Sequence, residues 1–171
     1  MVSAAVGPVV VMGVSASGKS TIGHALADRL GVPFIDGDDL HPQENVAKMR
    51  SGVPLVDDDR WPWLDVVGAA LAEGAATDAG GVVIACSALR RAYRERILAT
   101  APATRFVHLD LTESALADRA GARVGHFMPP ALLASQLATL EGLGSDEPGF
   151  ALDAAAPVPE IVDAAVARLG A

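Results

Sequence analysis

The string Gly13-Val14-Ser15-Ala16-Ser17-Gly18-Lys19-Ser20 follows the apolar run Val9-Val10-Val11-Met12 and fits the pattern G-x-x-x-x-G-K-[ST]. Glycines at both ends of such a string let the backbone curl so that several N–H groups aim inward. Together with the N-terminus of the following helix they form an anion site. In that arrangement Lys19 reaches the β- and γ-phosphates of a nucleoside triphosphate, and the Ser20 hydroxyl holds Mg²⁺. A chance glycine-rich turn would need neither the apolar strand before the string nor the helical pattern from Thr21 to Leu30 after it, and both are present.

Asp36-Gly37-Asp38 closes a second short apolar run. Phosphoryl transfer to a hydroxyl uses one acid near Mg²⁺ and another at the acceptor. Alternation along extended chain would place both carboxylates on one side. A plain Asp/Gly turn is the structural alternative, and the position after the second strand favours the functional one. His41 either binds a polyol hydroxyl or caps the helix that follows, on whose face Asn45 and Lys48 join it. Arg60, after the acidic run Asp57-Asp58-Asp59, could fork onto a substrate carboxylate; the run itself reads otherwise as a solvated loop or a helix N-cap. Trp61 and Trp63 read as packing anchors. Cys86-Ser87-Ala88-Leu89-Arg90 ends the central strand without the acid that many ATPases carry there. This leaves Mg²⁺ to Ser20, phosphate oxygens, water and Asp36, and turns Ser87 and Arg90 toward an acceptor pocket. Arg119 and Arg123, one helical turn apart and followed by Gly125-His126-Phe127, read as a lid whose arginines stabilise transferring charge. The alternative is a surface helix end.

These groups need a scaffold, and the pattern supplies one. Strands are expected at Val9–Met12, Pro33–Asp36, Gly81–Cys86, Arg105–Asp110 and Phe150–Asp153. Helices are expected at Ser20–Leu30, Pro42–Arg50, Trp61–Ala79, Leu89–Ala99, Thr112–Ala122, Ala131–Leu140 and Pro159–Leu169, with polar loop over Gly52–Asp59. Alternation of strand and helix predicts an α/β fold with a mostly parallel sheet, its ligands at the carboxyl ends of the strands. The 171 residues read as one domain, 1–171, with a lid over roughly 119–140.

The formal net charge of −8 argues against nucleic acid, which needs a basic footprint. The cations Lys19, Lys48, Arg60, the Arg90/Arg91/Arg94 group, Arg119 and Arg123 are few, and several of them are expected to line one site. No stretch reaches the roughly 18 apolar residues of a membrane span, and no secretory leader is visible. The single Cys86 reads as a buried structural thiol and suits a reducing cytoplasm. A nucleotide switch is a rival class, but the guanine-reading NKxD is absent and Asp65–Gly68, a DxxG, falls inside a helix.

Four blocks in order, GVSASGKST, DGDDLHPQENVAKMRSGVPLVDDDRWPWL, CSALRRAYRERI and RVGHFMPPALLASQLATLE, resemble gluconokinases of the small P-loop kinase type over about Val9 to Glu141. The second block is the most specific, since shikimate and adenylate kinases share the first but not LHPxxNxxKM followed by DDDRxPWL. The resemblance implies a five-stranded parallel sheet with a helical lid, ATP-dependent phosphorylation of D-gluconate to 6-phospho-D-gluconate, and commonly a homodimer. It assigns ATP-Mg²⁺ to Gly13–Thr21, including Ser15, Ala16, Ser17, Gly18, Lys19, Ser20 and Thr21. It gives Asp38 the acceptor hydroxyl and Asp36 the Mg²⁺ through water. Arg60 and Ser87 to Arg90 would hold the sugar acid with His41, Lys48 and His126, while Arg119 and Arg123 act from the lid. Another small-acid kinase, shikimate-like, is the rival within the scaffold. Ala16 stands where many members carry glycine.

Overall fold

The computed structural model describes residues 5–122 and 130–171, those at 120–122 and 130–132 in their backbone only. In chain order the elements are β1 (Gly7–Met12), α1 (Lys19–Leu30), β2 (Phe34–Asp36), a single 3-10 turn (Gly37–Leu40), α2 (Gln43–Arg50), α3 (Asp57–Ala75), β3 (Gly81–Ala85), α4 (Arg91–Thr100), β4 (Arg105–Asp110), α5 (Glu113–Ala122), α6 (Pro130–Thr139), β5 (Gly149–Asp153) and α7 (Val158–Leu169). The strands form one five-stranded sheet in the order β2-β3-β1-β4-β5. Every neighbouring pair is parallel. The expected five-stranded α/β architecture is therefore present.

β1 is central because both of its faces are apolar. Val9 and Val11 pack with Leu26 of α1 and Ile161 and Ala165 of α7. Val10 and Met12, alternating to the other face, pack with Leu64, Val67 and Leu71 of α3 and Ile97 of α4. The chain leaves β1 for β2, returns to β3 beside β1, and crosses to β4 on the far side of β1. The connection order reverses at β1, which opens a crevice at its carboxyl end. The loop Gly13–Gly18 starts there. A third, smaller apolar cluster lies beyond the sheet and joins Val14 of that loop to Leu89, Leu116 of α5 and Leu133 of α6.

Three local features differ from the pattern-based expectation. The loop expected over Gly52–Asp59 ends early, and the acidic run takes the helix N-terminal reading. Asp57, Asp58 and Asp59 form the first turn of α3, where the helix's free N–H groups favour carboxylates. Asp59 accepts a 3.0 Å hydrogen bond from the Val56 N–H and so satisfies the donor of the N-cap residue, which has no side-chain acceptor to return the bond. The chain through Asp38 is not extended either. The Asp36 side chain caps the 3-10 turn by accepting from the Asp38 N–H at 3.0 Å, and that turn rather than strand alternation brings the two acids together.

The third difference concerns charge. Arg91 and Arg94, both in the cationic group that follows the central strand, are not among the cations that line the site. Arg94 is wholly buried and forms a two-point pair with Glu147, Nε to Oε1 at 2.6 Å and Nη2 to Oε2 at 3.0 Å. Its Nη1 donates to the Ala88 carbonyl at 2.8 Å. Glu147 also accepts from the Gly144 N–H at 2.7 Å, and Arg94 holds its carboxyl below the usual range. Arg91 pairs in the open with Asp146 and Glu95. The Arg94 fork thus ties the 142–147 loop to the end of β3 and steadies Ala88, whose φ of 45° is unusual for a residue with a Cβ.

Glu147→Ala leaves a buried guanidinium without its anion, and the expected loss is about 3 to 5 kcal/mol. Urea unfolding of the two proteins measures it; a loss of less than about 1 kcal/mol, the scale of a surface pair, would contradict this reading of the fork.

Candidate active site

The loop between β1 and α1 is held in shape by contacts that leave little freedom. Gly13 has φ of 148°, and a Cβ there would stand 2.7 Å from Ser17 Oγ and 3.0 Å from the Leu109 carbonyl. Gly18 caps α1 in the left-handed region at φ 97°. Ala16 also lies there, at φ 68°. A residue with a Cβ pays roughly 1 kcal/mol or more for that conformation, so the alanine is less neutral a departure from glycine than its size suggests. Lys19 Nζ donates to the Val14 carbonyl at 3.0 Å across the loop. The first turn of α1 carries no acid, so its positive end is uncompensated and suits phosphate. Ser17 Oγ is buried and has no hydrogen-bond partner among the described residues.

The acidic pair meets this loop directly. Ser20 Oγ donates to Asp36 Oδ2 at 3.2 Å, while Asp36 Oδ1 accepts from the Asp38 N–H. Ser20 and Asp36 are the hard oxygen donors that Mg²⁺ takes, and among the described residues no cluster of three or more acidic, His or Cys side chains could hold a metal alone. This donor set fits an ion shared with phosphates and water. Gly37 is required by position: a Cβ would lie 2.5 Å from the Ala85 carbonyl of β3. The Gly37 carbonyl in turn accepts from Trp63 Nε1 at 2.8 Å. Trp63 is thus the packing anchor expected and a clamp on the acidic turn as well. Desolvation, then the charge of Asp36, pushes the Asp38 carboxyl up from its ordinary value, against the pull of Lys19. Asp38 keeps an exposed surface, so water limits the size of the rise, not its direction.

His41 stacks on Trp63 at 4.2 Å, nearly parallel. Its Nδ1 lies 3.1 Å from Asn45 Nδ2, which also donates to the Asp59 carbonyl at 2.9 Å. An amide nitrogen can only donate, so Nδ1 accepts and Nε2 carries the hydrogen. Burial lowers the imidazole pKa and keeps the ring neutral, against the opposing pull of Asp38. The ring is therefore placed to donate from Nε2.

Arg60 and Arg90 converge on one carboxylate. Asp57 Oδ1 accepts from Arg60 Nη1 at 3.0 Å and from the Tyr93 hydroxyl, and Arg90 Nη1 lies 3.7 Å from Oδ2. Arg60 Nη1 also donates to the Tyr93 hydroxyl at 3.2 Å. The Tyr93 hydroxyl first, and the arginines after it, hold Asp57 below the usual carboxylate range. Two partly exposed guanidinium groups thus share one anion, a net positive seat for a second carboxylate. Lys48 is placed elsewhere: both Asp59 oxygens take its ammonium at 2.9 Å. From the sequence, Asp57 stands out only as part of the acidic run and Tyr93 not at all; their signals are the i, i+3 spacing of Asp57 to Arg60 and of Arg90 to Tyr93.

Ser87 lends its carbonyl to the Gly13 N–H at 3.3 Å, linking the β3 end to the phosphate loop. Arg119 donates to the Ala154 carbonyl at 2.7 Å and the Ser17 carbonyl at 3.4 Å. It roofs a cleft of about 180 Å³ whose other walls include Gly18, Thr21, Ala154, Val158 and Ile161. This apolar slot beside the phosphate loop has the character of a base-binding site; nothing in the residue pattern marked the β5–α7 loop for it. Arg123 and His126 lie outside the described residues. Cys86 is buried and its thiol pushed up to about 12, chiefly by burial.

Residues 9–143 match the family model described as AAA domain. The chain is 53% identical over 140 residues to a gluconokinase from Gluconobacter oxydans, covering 81% of this chain and 78% of that one. The structure superposes on the crystal structure of a gluconokinase from Sinorhizobium meliloti 1021 with a TM-score of 0.86 at 50% identity, covering 97% and 93% of the two chains. A sugar kinase from Janibacter sp. HTCC2649, solved without ligand, gives 0.87 at 45% identity, covering 96% and 94%.

Because the Asp38 pKa is raised in the folded chain, folding favours its protonated form. The stability tied to that proton is lost as pH rises from 3.8 through the raised value. Asp38→Asn removes the penalty, so it should melt higher than the wild type at about pH 7 and lose that advantage toward about pH 4. Thermal melts across this range check it; a lower melting point at neutral pH would contradict the stated cause.

Proposed function

The chain belongs to the gluconokinase family, and we propose that the site just described performs the family's reaction through Asp38, the Asp57-held arginines and the phosphate loop. The activity is ATP-dependent phosphorylation of gluconate. The observation that carries the residue assignment is the double use of Asp36. One of its oxygens meets Ser20 of the phosphate loop, and the other holds the turn that presents Asp38.

On this reading the loop Gly13–Thr21 takes the triphosphate, with Lys19 turning from the Val14 carbonyl to the β- and γ-phosphates. Arg119 and the β5–α7 loop flank the adenine. Ser20 and Asp36 would hold Mg²⁺, directly and through water, and the ion would neutralise charge on the phosphates. Arg60 and Arg90 bind the gluconate carboxylate, and His41 Nε2–H donates to one of its hydroxyls. Ser87 borders the same pocket, and Lys48 acts through Asp59. The far end of the sugar acid then lies at Asp38. The primary hydroxyl oxygen bonds to the γ-phosphorus as the bond from that phosphorus to the β–γ bridging oxygen breaks. The hydroxyl proton passes to Asp38, and ADP leaves with the electron pair. The raised pKa of Asp38 suits a group that must take up that proton. Arg123 and His126 would complete the site from a lid over roughly 119–140 of a single 1–171 domain.

A homodimer is part of the proposal, supported by exposed Met49, Val53 and Val56 around the α2–α3 connection. A cytoplasmic enzyme acting on a small molecule fits the acidic surface and the reduced Cys86. Among the described residues no helix is long and apolar enough to cross a membrane.

Coupled ADP release with gluconate, shikimate, glycerate and nucleoside monophosphates as acceptors tests the proposal. Gluconate should be strongly preferred; no gluconate-dependent ADP would refute it. Asp38→Ala should lower kcat by about 100-fold or more with ATP still bound. Arg60→Ala should raise the gluconate KM by about 10-fold or more and the ATP KM far less. Equal effects on both KM values would remove Arg60 from the acceptor site.

A further inference from the structure

α6 is fastened to both of the loops that a phosphoryl-transfer site must bring together. Its Leu133 is buried, and with Leu137 and the following Leu140 it packs on Val14 of the phosphate loop and on Leu89 of the β3–α4 loop. Just past its end, the Glu141 N–H donates to the Leu89 carbonyl at 2.7 Å. Between these anchors, Gln136 reaches across 121 residues of sequence and its Oε1 accepts from the Ser15 N–H at 2.7 Å. Ser15 lies inside the phosphate loop, two residues after Gly13 and four before Lys19. An N–H of an anion cradle is thus satisfied here by a neutral side-chain oxygen.

The chemistry of that contact fixes the amide. Ser15 N–H is a donor, so the atom facing it is Oε1, and Nε2 must turn the other way. Nε2 carries two donors and has no hydrogen-bond partner among the described residues, while the residue is only half-exposed. An uncharged donor set on a helix seated on the phosphate loop, with its amide oriented by Ser15, is what charge building on a phosphoryl group can use with little reorganisation.

We propose that Gln136 is a γ-phosphoryl contact: Oε1 locks the amide on Ser15, and Nε2 donates to the oxygens of the transferring phosphoryl group. It reads the γ-phosphate specifically, because ADP ends one phosphate short of it. The same contact sets α6 against the donor loop while Glu141 sets it against the acceptor loop. Gln136 thereby helps hold the two loops in register. The proposal rests on the triphosphate reading of the Gly13–Ser20 loop.

The test compares Gln136→Glu and Gln136→Ala with the wild-type protein by calorimetric titration of Mg²⁺-ADP and of the Mg²⁺ complex of a non-hydrolysable β,γ-imido ATP analogue, followed by steady-state kinetics. Glu keeps an oxygen for Ser15 but replaces the donors with charge. For both variants the analogue should bind about 10-fold or more weakly while ADP stays within about twofold, as expected for a lost hydrogen bond to a charged group. kcat should fall by about 100-fold, most for Gln136→Glu. Losses that are equal for ADP and analogue, with or without a lower melting temperature, would make Gln136 a structural anchor alone and overturn the proposal. So would variants that bind and turn over as the wild type does. Wild-type protein that releases no ADP with gluconate would contradict the proposed function. It would leave the ADP-to-analogue comparison intact, since neither ligand includes an acceptor.

Discussion

The carboxylate of Asp36 is the joint on which the site depends. Its two oxygens serve opposite halves: Ser20 of the phosphate loop on one side and the backbone of Asp38 on the other. Neither contact would form if β2 ended elsewhere. Asp36 pairs in register with Ala85 of β3, and Gly37 can follow only because it lacks the Cβ that would strike the Ala85 carbonyl. Trp63 then fixes Gly37 from above through its indole N–H and supports His41 through its ring face. One strand register, one missing methyl group and one indole thus set where Asp38 stands relative to the Gly13–Gly18 loop.

Charge is handled with the same economy of parts. The chain is acidic overall, yet its cations divide into two kinds. Arg94 is spent inside the fold, where a two-point pair with Glu147 and a bond to Ala88 give it a purely architectural task. Arg60 and Arg90 stay near the surface, gathered by Asp57 and Tyr93. Asp57 offers one negative charge to two positive ones. It restrains the guanidinium groups without neutralising them, which lowers the ordering cost when a further carboxylate arrives.

Much of this was legible in the residues. The apolar runs gave the inner strands β1 and β3, because strands buried on both faces must be continuous in their hydrophobicity. The loop string gave the phosphate site, because only a few residue types permit that curl. What was not legible arises from contacts far apart in the chain. The spacing of Asp36 and Asp38 suggested alternation along a strand, whereas a side-chain cap bends the chain into a turn there. Composition left the run Asp57–Asp59 open between solvated loop and helix N-terminus, because both attract the same residues, and the fold takes the second. Arg94 looked like one more site cation until its partner, 53 residues later, was in place. Lys48 shares a helical face with Asn45, as spacing required, yet its charge goes to Asp59. The base-side cleft and Gln136 carry no local signal at all, since each is made by segments that only the sheet order brings together.

On the proposed reading, a carboxylate held at Arg60 and Arg90 puts the opposite end of the sugar acid at Asp38 and the γ-phosphate. Phosphorus and carbon NMR of the product formed from ¹³C-labelled gluconate and ATP tests it most directly. A single phosphate ester on the primary carbon, the one farthest from the carboxylate, is expected. A phosphate on any secondary hydroxyl, or a mixture of positions, would contradict it.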